Sequence, residues 1–349
     1  MSKLKIGFVG TGFMGQKAHL ANYAVLDECE VVAIAEPRKG LAQKVAARYG
    51  IQKVYENHLD LLNNCKVDAI VAAQIYTHHI NLVPDILNAG IPLLTEKPLA
   101  LSVEAGEKLA ALAENKGVMY MVGYHKRSDP AMEYAKEMID EWKHTGEYGK
   151  LKYVRITMPP GDWVGGAGIA LSSEESYPQL TLETEVPGFN TVEADKYNVF
   201  VNYYIHQVNA LRYLIGEPYE LSFADPSGVL LVAKSQSGIC GVIEMAPYQN
   251  TVDWQETLMI CFEHGFVKVE LPAPLACQQA GRVTVMKDNG KGIPLIIQPS
   301  LPNLSAMRKQ AMNFLAAVRG ERLAPCMAKE AVEDLKIARE YIRMMNQYM

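Results

Sequence analysis

Hydrophobic positions in the first third of the chain come as short unbroken runs with helical stretches between them. Leu4–Val9, Val31–Ala35, Ala69–Ala73, Ile91–Thr95 and Val118–Val122 read as strands buried on both faces. Met14–Leu26, Gly40–Tyr49, His79–Asn88 and Val103–Lys116 read as the helices that join them. Strands alternating with helices of this length predict βαβ units and a parallel, doubly wound sheet.

The pattern changes after Gly123. A helix over Pro130–Lys143 is followed by strand-like runs at Leu151–Thr157, Val229–Lys234, Gly238–Ala246, Glu256–Phe262, Phe266–Leu271 and Arg282–Met286. Turn residues separate most of them, which predicts a large, mostly antiparallel open sheet. One helix is expected over Tyr197–Leu214, ending at the C′ glycine Gly216, and two more over Asn303–Arg319 and Lys329–Tyr348. The fold class is therefore α/β, with domains at 1–124 and 125–349. The Gly/Ser/Glu-rich stretch Pro159–Asp195 reads as a long ordered loop, a type that is usually functional.

Composition supports two globular domains in 349 residues, since 49% are hydrophobic and only 21% charged. The formal net charge of -5 gives no broad attraction to nucleic acid or to an anionic membrane. No apolar stretch approaches the roughly 20 residues of a membrane span. The chain runs from Met1 straight into a strand, so no signal peptide and a cytoplasmic location are expected. Cys29, Cys65, Cys240, Cys261, Cys277 and Cys326 are scattered, which suits reduced thiols better than disulfides or structural zinc. The His78-His79 pair lacks a third ligand at matching spacing, so no metal is expected.

Gly10-Thr11-Gly12-Phe13-Met14-Gly15 is a GxGxxG that follows a strand and opens a helix, and the acidic Glu36 stands roughly 20 residues on at the end of the second strand. This is the fingerprint of a Rossmann dinucleotide site. Gly10 permits the tight turn, Gly12 admits the pyrophosphate and Gly15 lets helix and strand pack closely. The helix N-terminus turns its N–H groups and positive dipole end toward the phosphates. A carboxylate at Glu36 suits the ribose hydroxyls and repels a 2′-phosphate, which favours NAD as the cofactor. Arg38, close behind, can tolerate NADP.

Glu96-Lys97-Pro98 follows the Ile91–Thr95 strand at the carboxyl edge of the sheet, where doubly wound folds hold their ligands. Together with the fingerprint, the segment Gly123-Tyr124-His125-Lys126-Arg127 and the run His206-Gln207-Val208-Asn209-Ala210-Leu211-Arg212, it resembles the Gfo/Idh/MocA oxidoreductases. The resemblance covers nearly the whole chain. It implies an N-terminal Rossmann domain, a C-terminal α/β domain with a large open sheet, and homo-oligomers that pair through that sheet. It also implies that Lys97 is catalytic, that Glu96 flanks the nicotinamide side, that His79 lies near the cofactor and that His206 is the catalytic histidine. The family's usual Asp four residues before this histidine is here Asn202.

Oxidising an alcohol requires a hydride acceptor and a base for the hydroxyl proton, and histidine titrates near working pH. His206 is expected as the principal base and Lys97 as the electrostatic stabiliser and relay, with Asn202 one helical turn from His206. Tyr124, His125, Arg127, Asp162 and Trp163 are the candidate substrate contacts. The last two rest on the preference of sugar hydroxyls for carboxylates and of sugar C–H faces for indole. Tyr177, Tyr203 and Tyr204 are weaker candidates. The function expected is NAD-dependent oxidation of a secondary alcohol in a sugar, glycoside or cyclitol. Two alternatives stay open: an NAD-using glycosidase working by transient 3-oxidation, and a non-catalytic dinucleotide-binding sensor or scaffold.

Overall fold

The computed structural model describes residues 2–246 and 248–347. The chain divides into two compact units. The first comprises Met1–Tyr124, Gly168–Asn198 and Gln310–Leu335, and the second His125–Ala167, Val199–Lys309 and Lys336–Met349. Two stretches that the sequence pattern assigns to the C-terminal domain, 168–198 and 310–335, thus belong to the N-terminal one.

The first unit carries strands β1 (Leu4–Val9), β2 (Cys29–Ala35), β3 (Lys53–Tyr55), β4 (Ala69–Ala72), β5 (Leu93–Glu96) and β6 (Tyr120–Gly123). Its helices are α1 (a π-helical run Gly15–Leu20 continued by Ala21–Tyr23), α2 (Lys39–Tyr49), α3 (His58–Asn64), α4 (His79–Asn88) and α5 (Val103–Lys116). All six strands pair in parallel in the order β3-β2-β1-β4-β5-β6. That order reverses between β1 and β4, the switch point at which such sheets bind ligands. β4, β5 and β6 are buried along their whole length, as central strands covered on both faces must be. Ile6, Phe8, Ile34, Val71 and Leu94 form the core with Leu20 and Tyr23 of α1, Leu41 and Val45 of α2, and Phe314 and Leu315. The short β3 and α3 escape the hydrophobic pattern, since β3 is mostly exposed and α3 buries only Leu61.

The second unit holds α6 (Pro130–Thr145) and an eight-stranded sheet. Its strands are β7 (Leu151–Met158), β8 (Tyr219–Ala224), β9 (Leu230–Ser235), β10 (Cys240–Met245), β11 (Glu256–Phe262), β12 (Gly265–Leu271), β13 (Arg282–Lys287) and β14 (Leu295–Ile297). Their order is β14-β13-β12-β11-β7-β10-β9-β8. Among the described residues of this sheet, only β7 and β10 pair in parallel. β11 alternates buried and half-buried positions along its length, the period of a sheet with one packed face. Trp142 of α6 seals that face, meeting the Phe262 ring edge-on at 5.1 Å.

The single helix expected over Tyr197–Leu214 is two, α7 (Thr191–Tyr203) and α8 (Ile205–Ile215). Tyr204 stands between them with ψ -1, enough to end one helical ladder and start the next. A change in one backbone angle leaves the spacing of apolar residues intact, so periodicity does not detect it. α8 ends at Gly216 with φ 73, as its position implies. The closing helices are α9 (Ala306–Val318) and α10 (Ala328–Gln347), and the expected end at Tyr348 lies outside the described residues. No helix among the described residues is long and apolar enough to cross a membrane.

Candidate functional site

The glycine loop after β1 has the geometry its spacing requires. Gly10 has φ +89, and a Cβ there would meet the Ala73 carbonyl at 2.6 Å. A Cβ on Gly15 would lie 2.4 Å from the Gly10 carbonyl oxygen, so the helix approaches the strand as closely as backbone allows. At Gly12 a Cβ would meet nothing nearer than an Arg38 nitrogen at 3.8 Å, which leaves room for a ligand against the backbone. Thr11, Phe13 and Met14 complete this turn. A cavity of about 390 Å³ opens beside it, lined by Gly10, Gly12, Glu36, Arg38, Gln74 and Tyr177 among others. That size suits part of a nucleotide-sized ligand.

Glu36 is 2% exposed and its carboxylate is fully engaged. One oxygen accepts from the Thr11 N–H and hydroxyl, both at 3.0 Å. Arg38 grips both oxygens, through Nε at 2.7 Å and Nη2 at 3.2 Å. The carboxylate therefore stands in the position the fingerprint requires, but as half of an ion pair. The sequence shows both residues and not their pairing.

At the sheet's carboxyl edge Glu96 is also engaged. Its Oε1 meets His19 Nε2 of α1 at 2.7 Å, and its Oε2 accepts from the Lys97 N–H at 3.3 Å. His19, which sequence reasoning missed, thus ties the glycine-loop helix to the Glu96-Lys97-Pro98 turn. Gln16, Lys17 and Asn22 are polar in the same helix, so nothing in the local sequence marks His19 out. His79 is fully buried, and its Nδ1–H donates to the Leu99 carbonyl at 3.0 Å. Burial pushes its pKa down to about 4, against the smaller upward pull of that carbonyl, so the ring is neutral at physiological pH. Its Nε2 finds no partner in good geometry among the described residues, although the Gln74 carbonyl is near. A neutral, buried acceptor and a glycine cradle without a Cβ both fit a dinucleotide.

In the second unit the structure brings His125 and His206 together, with their rings edge-on and centroids 4.6 Å apart. Asn202 is exposed near the end of α7, whereas His206 opens α8. The two residues therefore do not share one continuous helix as expected, because the break at Tyr204 separates them. Next to His206, Gln207 donates to Glu256 at 2.8 Å. Glu256 pairs with Lys126, and the Trp254 indole N–H donates to it at 3.3 Å. Burial lowers the Lys126 pKa, and the Glu256 charge opposes that shift. Asp129 caps α6 through the Ala131 N–H at 2.8 Å and accepts from Gly281, while burial raises its pKa to about 6. Lys126, Asp129 and Glu256 were not singled out from sequence, because they lie among other polar residues and their pairing across distant segments leaves no spacing signal.

Two expected substrate contacts have structural work instead. Arg127 is 3% exposed, donates to Asn209 Oδ1 at 2.6 Å and stacks on Tyr213 at 4.7 Å, so it anchors α8 rather than facing a ligand. Asp162 Oδ1 accepts from the Val164 and Gly165 N–H groups and closes its own turn. Trp163, 38% exposed, keeps its indole accessible. Tyr124 is buried at the end of the first unit. Among the described residues no group of three His, Cys, Asp or Glu side chains is arranged to hold a metal.

Comparison with known proteins agrees with this geometry. Residues 4–124 match the model of the Gfo/Idh/MocA oxidoreductase family, NAD-binding Rossmann fold. The rhizopine catabolism protein MocA of Rhizobium meliloti is 26% identical over 258 residues, 70% of this chain and 72% of that one. A myo-inositol 2-dehydrogenase of Thermotoga maritima is 24% identical over 69% of this chain and 68% of its own. In three dimensions, a candidate NADPH-dependent oxidoreductase from Desulfitobacterium hafniense covers 99% of this chain and 96% of its own, with TM-score 0.78 at 13% identity. The glycine cradle, the Glu96-Lys97-Pro98 turn and these matches identify residues 4–124 as an NAD-binding Rossmann domain of the Gfo/Idh/MocA oxidoreductase kind.

Proposed function

We propose that the protein is an NAD-dependent dehydrogenase acting on a secondary alcohol of a sugar, glycoside or cyclitol. The observation that carries the reading is the cradle at Gly12 beside Glu36, joined to a turn that presents Lys97 at the carboxyl edge of the sheet. Glu36 stands where the ribose hydroxyls arrive and opposes a 2′-phosphate, while its Arg38 partner softens that opposition. NAD is therefore preferred and NADP is not shut out. His79 Nε2 offers a neutral acceptor to the cofactor's polar edge. Similarity to an inositol dehydrogenase supports a polyol or sugar as the substrate.

When bound, the nicotinamide supplies the hydride acceptor. The chain's own residues handle the proton and the charge. His206 Nε2 or Nδ1 takes the hydroxyl proton, and His125 against its ring restricts its orientation. The Lys97 ammonium stabilises negative charge developing on the substrate oxygen. Trp163 supplies a stacking face for a sugar ring. The half-buried face of the eight-stranded sheet supports pairing with a second copy of the chain. Among the described residues no disulfide joins any of the six cysteines, which suits a reducing compartment such as the cytoplasm.

The test is a screen of sugars, glycosides and cyclitols that follows reduced-nicotinamide absorbance, repeated with Lys97→Ala. The variant should lose about 10²-fold or more in turnover while its NAD affinity stays within a few-fold, because the lysine acts as charge develops. Near-normal turnover in Lys97→Ala would refute the role given to it. Substrate turnover with no net nicotinamide reduction would favour transient oxidation within a glycosidase cycle.

A further inference from the structure

The long loop is a strap of the first unit, bound to four parts of the Rossmann domain. At α1, Gln16 exchanges two hydrogen bonds with the Leu171 backbone, at 2.9 and 2.8 Å. At the start of α2, the Glu175 carboxylate accepts the Gly40 and Leu41 N–H groups at 3.0 and 3.1 Å. At the start of α4 the Thr181 carbonyl accepts from Asn81 at 2.8 Å, and at the turn before it the Glu183 N–H donates to the Thr77 carbonyl at 2.7 Å. Ahead of α5, Glu183 accepts the Leu101 and Ser102 N–H groups, both at 3.0 Å, and the Ser102 hydroxyl. Between these ties the strap crosses the mouth of the dinucleotide cavity. Tyr177, Pro178, Leu180 and Leu182 line it. The Tyr177 ring lies 4.8 Å from the Arg38 guanidinium, and its hydroxyl donates to Gln74 at 2.9 Å.

We propose that residues 168–198 are a latch which retains the dinucleotide between turnovers, with Tyr177 as the residue that bears on its adenosine end. Several features support this. Arg38 and Gln74 flank the end of the cavity next to the ribose carboxylate Glu36, where an adenine would lie. Tyr177 spans that end, and a second cavity of about 220 Å³ shares Gln74, Tyr177, Pro178 and Leu180 with the first. The Tyr177–Gln74 bond therefore stands as a partition across one groove. A flat ligand sliding into the groove displaces that bond and gains the tyrosine face in its place. Leaving again requires the strap to lift. Glu175 and Glu183 are positioning residues that hold the strap down from either side of Tyr177. Both clasp backbone N–H groups at or just ahead of helix starts, where carboxylates bind well.

The inference rests on the dinucleotide reading of the cavity. It is tested by loading the full-length protein with NADH, removing the excess, and following loss of bound-NADH fluorescence after mixing with a large excess of NAD. Tyr177→Ala, and separately the exposed Glu175→Ala, should release NADH about tenfold faster than the unmodified protein, the size expected when a helix-start carboxylate or a stacking face is lost. Tyr177→Phe keeps the ring and should stay within about threefold of the unmodified rate. Release rates equal within about twofold across the whole set, with NADH still bound, would overturn the latch alone. Failure of the unmodified protein to bind NADH would overturn the dinucleotide reading, and the latch with it.

Discussion

Arg38→Ala is expected to sharpen the preference for NAD over NADP, and Glu36→Ala to reverse it. The Glu36 side chain is 1% exposed and Arg38 is 18% exposed, with Nε 2.7 Å from the carboxylate. A 2′-phosphate arriving beside this pair meets a nearly neutral unit, so the carboxylate's repulsion is largely masked. Removing the guanidinium leaves the buried negative charge alone. Two unit charges about 6 Å apart at an effective dielectric of about 20 interact by about 3 kcal/mol. Solvent at the cavity mouth and salt reduce this to about 1.4 kcal/mol, a tenfold change in the ratio of dissociation constants. Glu36→Ala works in the other direction, because it frees the guanidinium to pair with the phosphate. The same variant leaves the Thr11 N–H and hydroxyl without their acceptor, so affinity for both cofactors should fall. The ratio is the diagnostic quantity. Fluorescence titration of both reduced cofactors at low and high ionic strength gives it, and the charge-based part should shrink with salt. A ratio that stays within about twofold of the unmodified value in both variants would refute the argument.

Two further predictions concern the buried charges of the second unit. The Asp129 carboxyl has a folded pKa of about 6 against an ordinary 3.8, so its contribution to stability is full below pH 4 and is lost as pH rises through 6. Asp129→Asn keeps an oxygen for the Ala131 and Gly281 N–H groups. Its stability relative to the unmodified protein should therefore rise by about 2–3 kcal/mol between pH 4 and pH 7 in denaturant unfolding, and parallel pH curves would contradict this. Lys126→Met leaves Glu256 charged and buried, at a cost of about 3–5 kcal/mol. Adding Glu256→Gln should restore most of that, and strictly additive losses would mean that the two side chains do not act as a pair.

Much of the first unit was legible because parallel strands covered on both faces are written as unbroken apolar runs. β4 and β5 are Ala-Ile-Val-Ala and Leu-Leu-Thr-Glu, and no other local structure suits such runs between amphipathic helices. The glycine fingerprint was legible because each glycine answers a steric demand at fixed spacing. What escaped were features without a period. β14 has all three residues exposed, and β3 is only three residues long. The Arg38 grip on Glu36 and the Lys126–Glu256 pair depend on side-chain directions that composition does not encode. Asp162 looked like a sugar ligand by residue type, yet a carboxylate two residues before a Val-Gly pair serves equally well to close its own turn.

The strap shows most clearly where sequence reasoning stops and why. Its residues have no hydrophobic periodicity, so nothing in the local pattern assigns it to either domain, and chain order alone puts it in the second. Two of its ties to the first unit come from carboxylates, Glu175 and Glu183, each matched to backbone N–H groups at or just ahead of the start of a distant helix. Those N–H groups have no intrahelical partner in any helix, whatever its sequence. Attachment of this kind therefore leaves no signature on the donor side, at the helix starts, and only two ordinary glutamates on the acceptor side, in the strap. The glycine fingerprint fixes where a dinucleotide binds, through residues that lie within a few positions of one another. Whether the dinucleotide leaves is set by Tyr177, which stands more than a hundred residues away and reaches the same cavity because the strap is tied down on both sides of it. Binding site and release device are thus separate sets of residues, so a change in the strap can alter release while leaving the fingerprint intact.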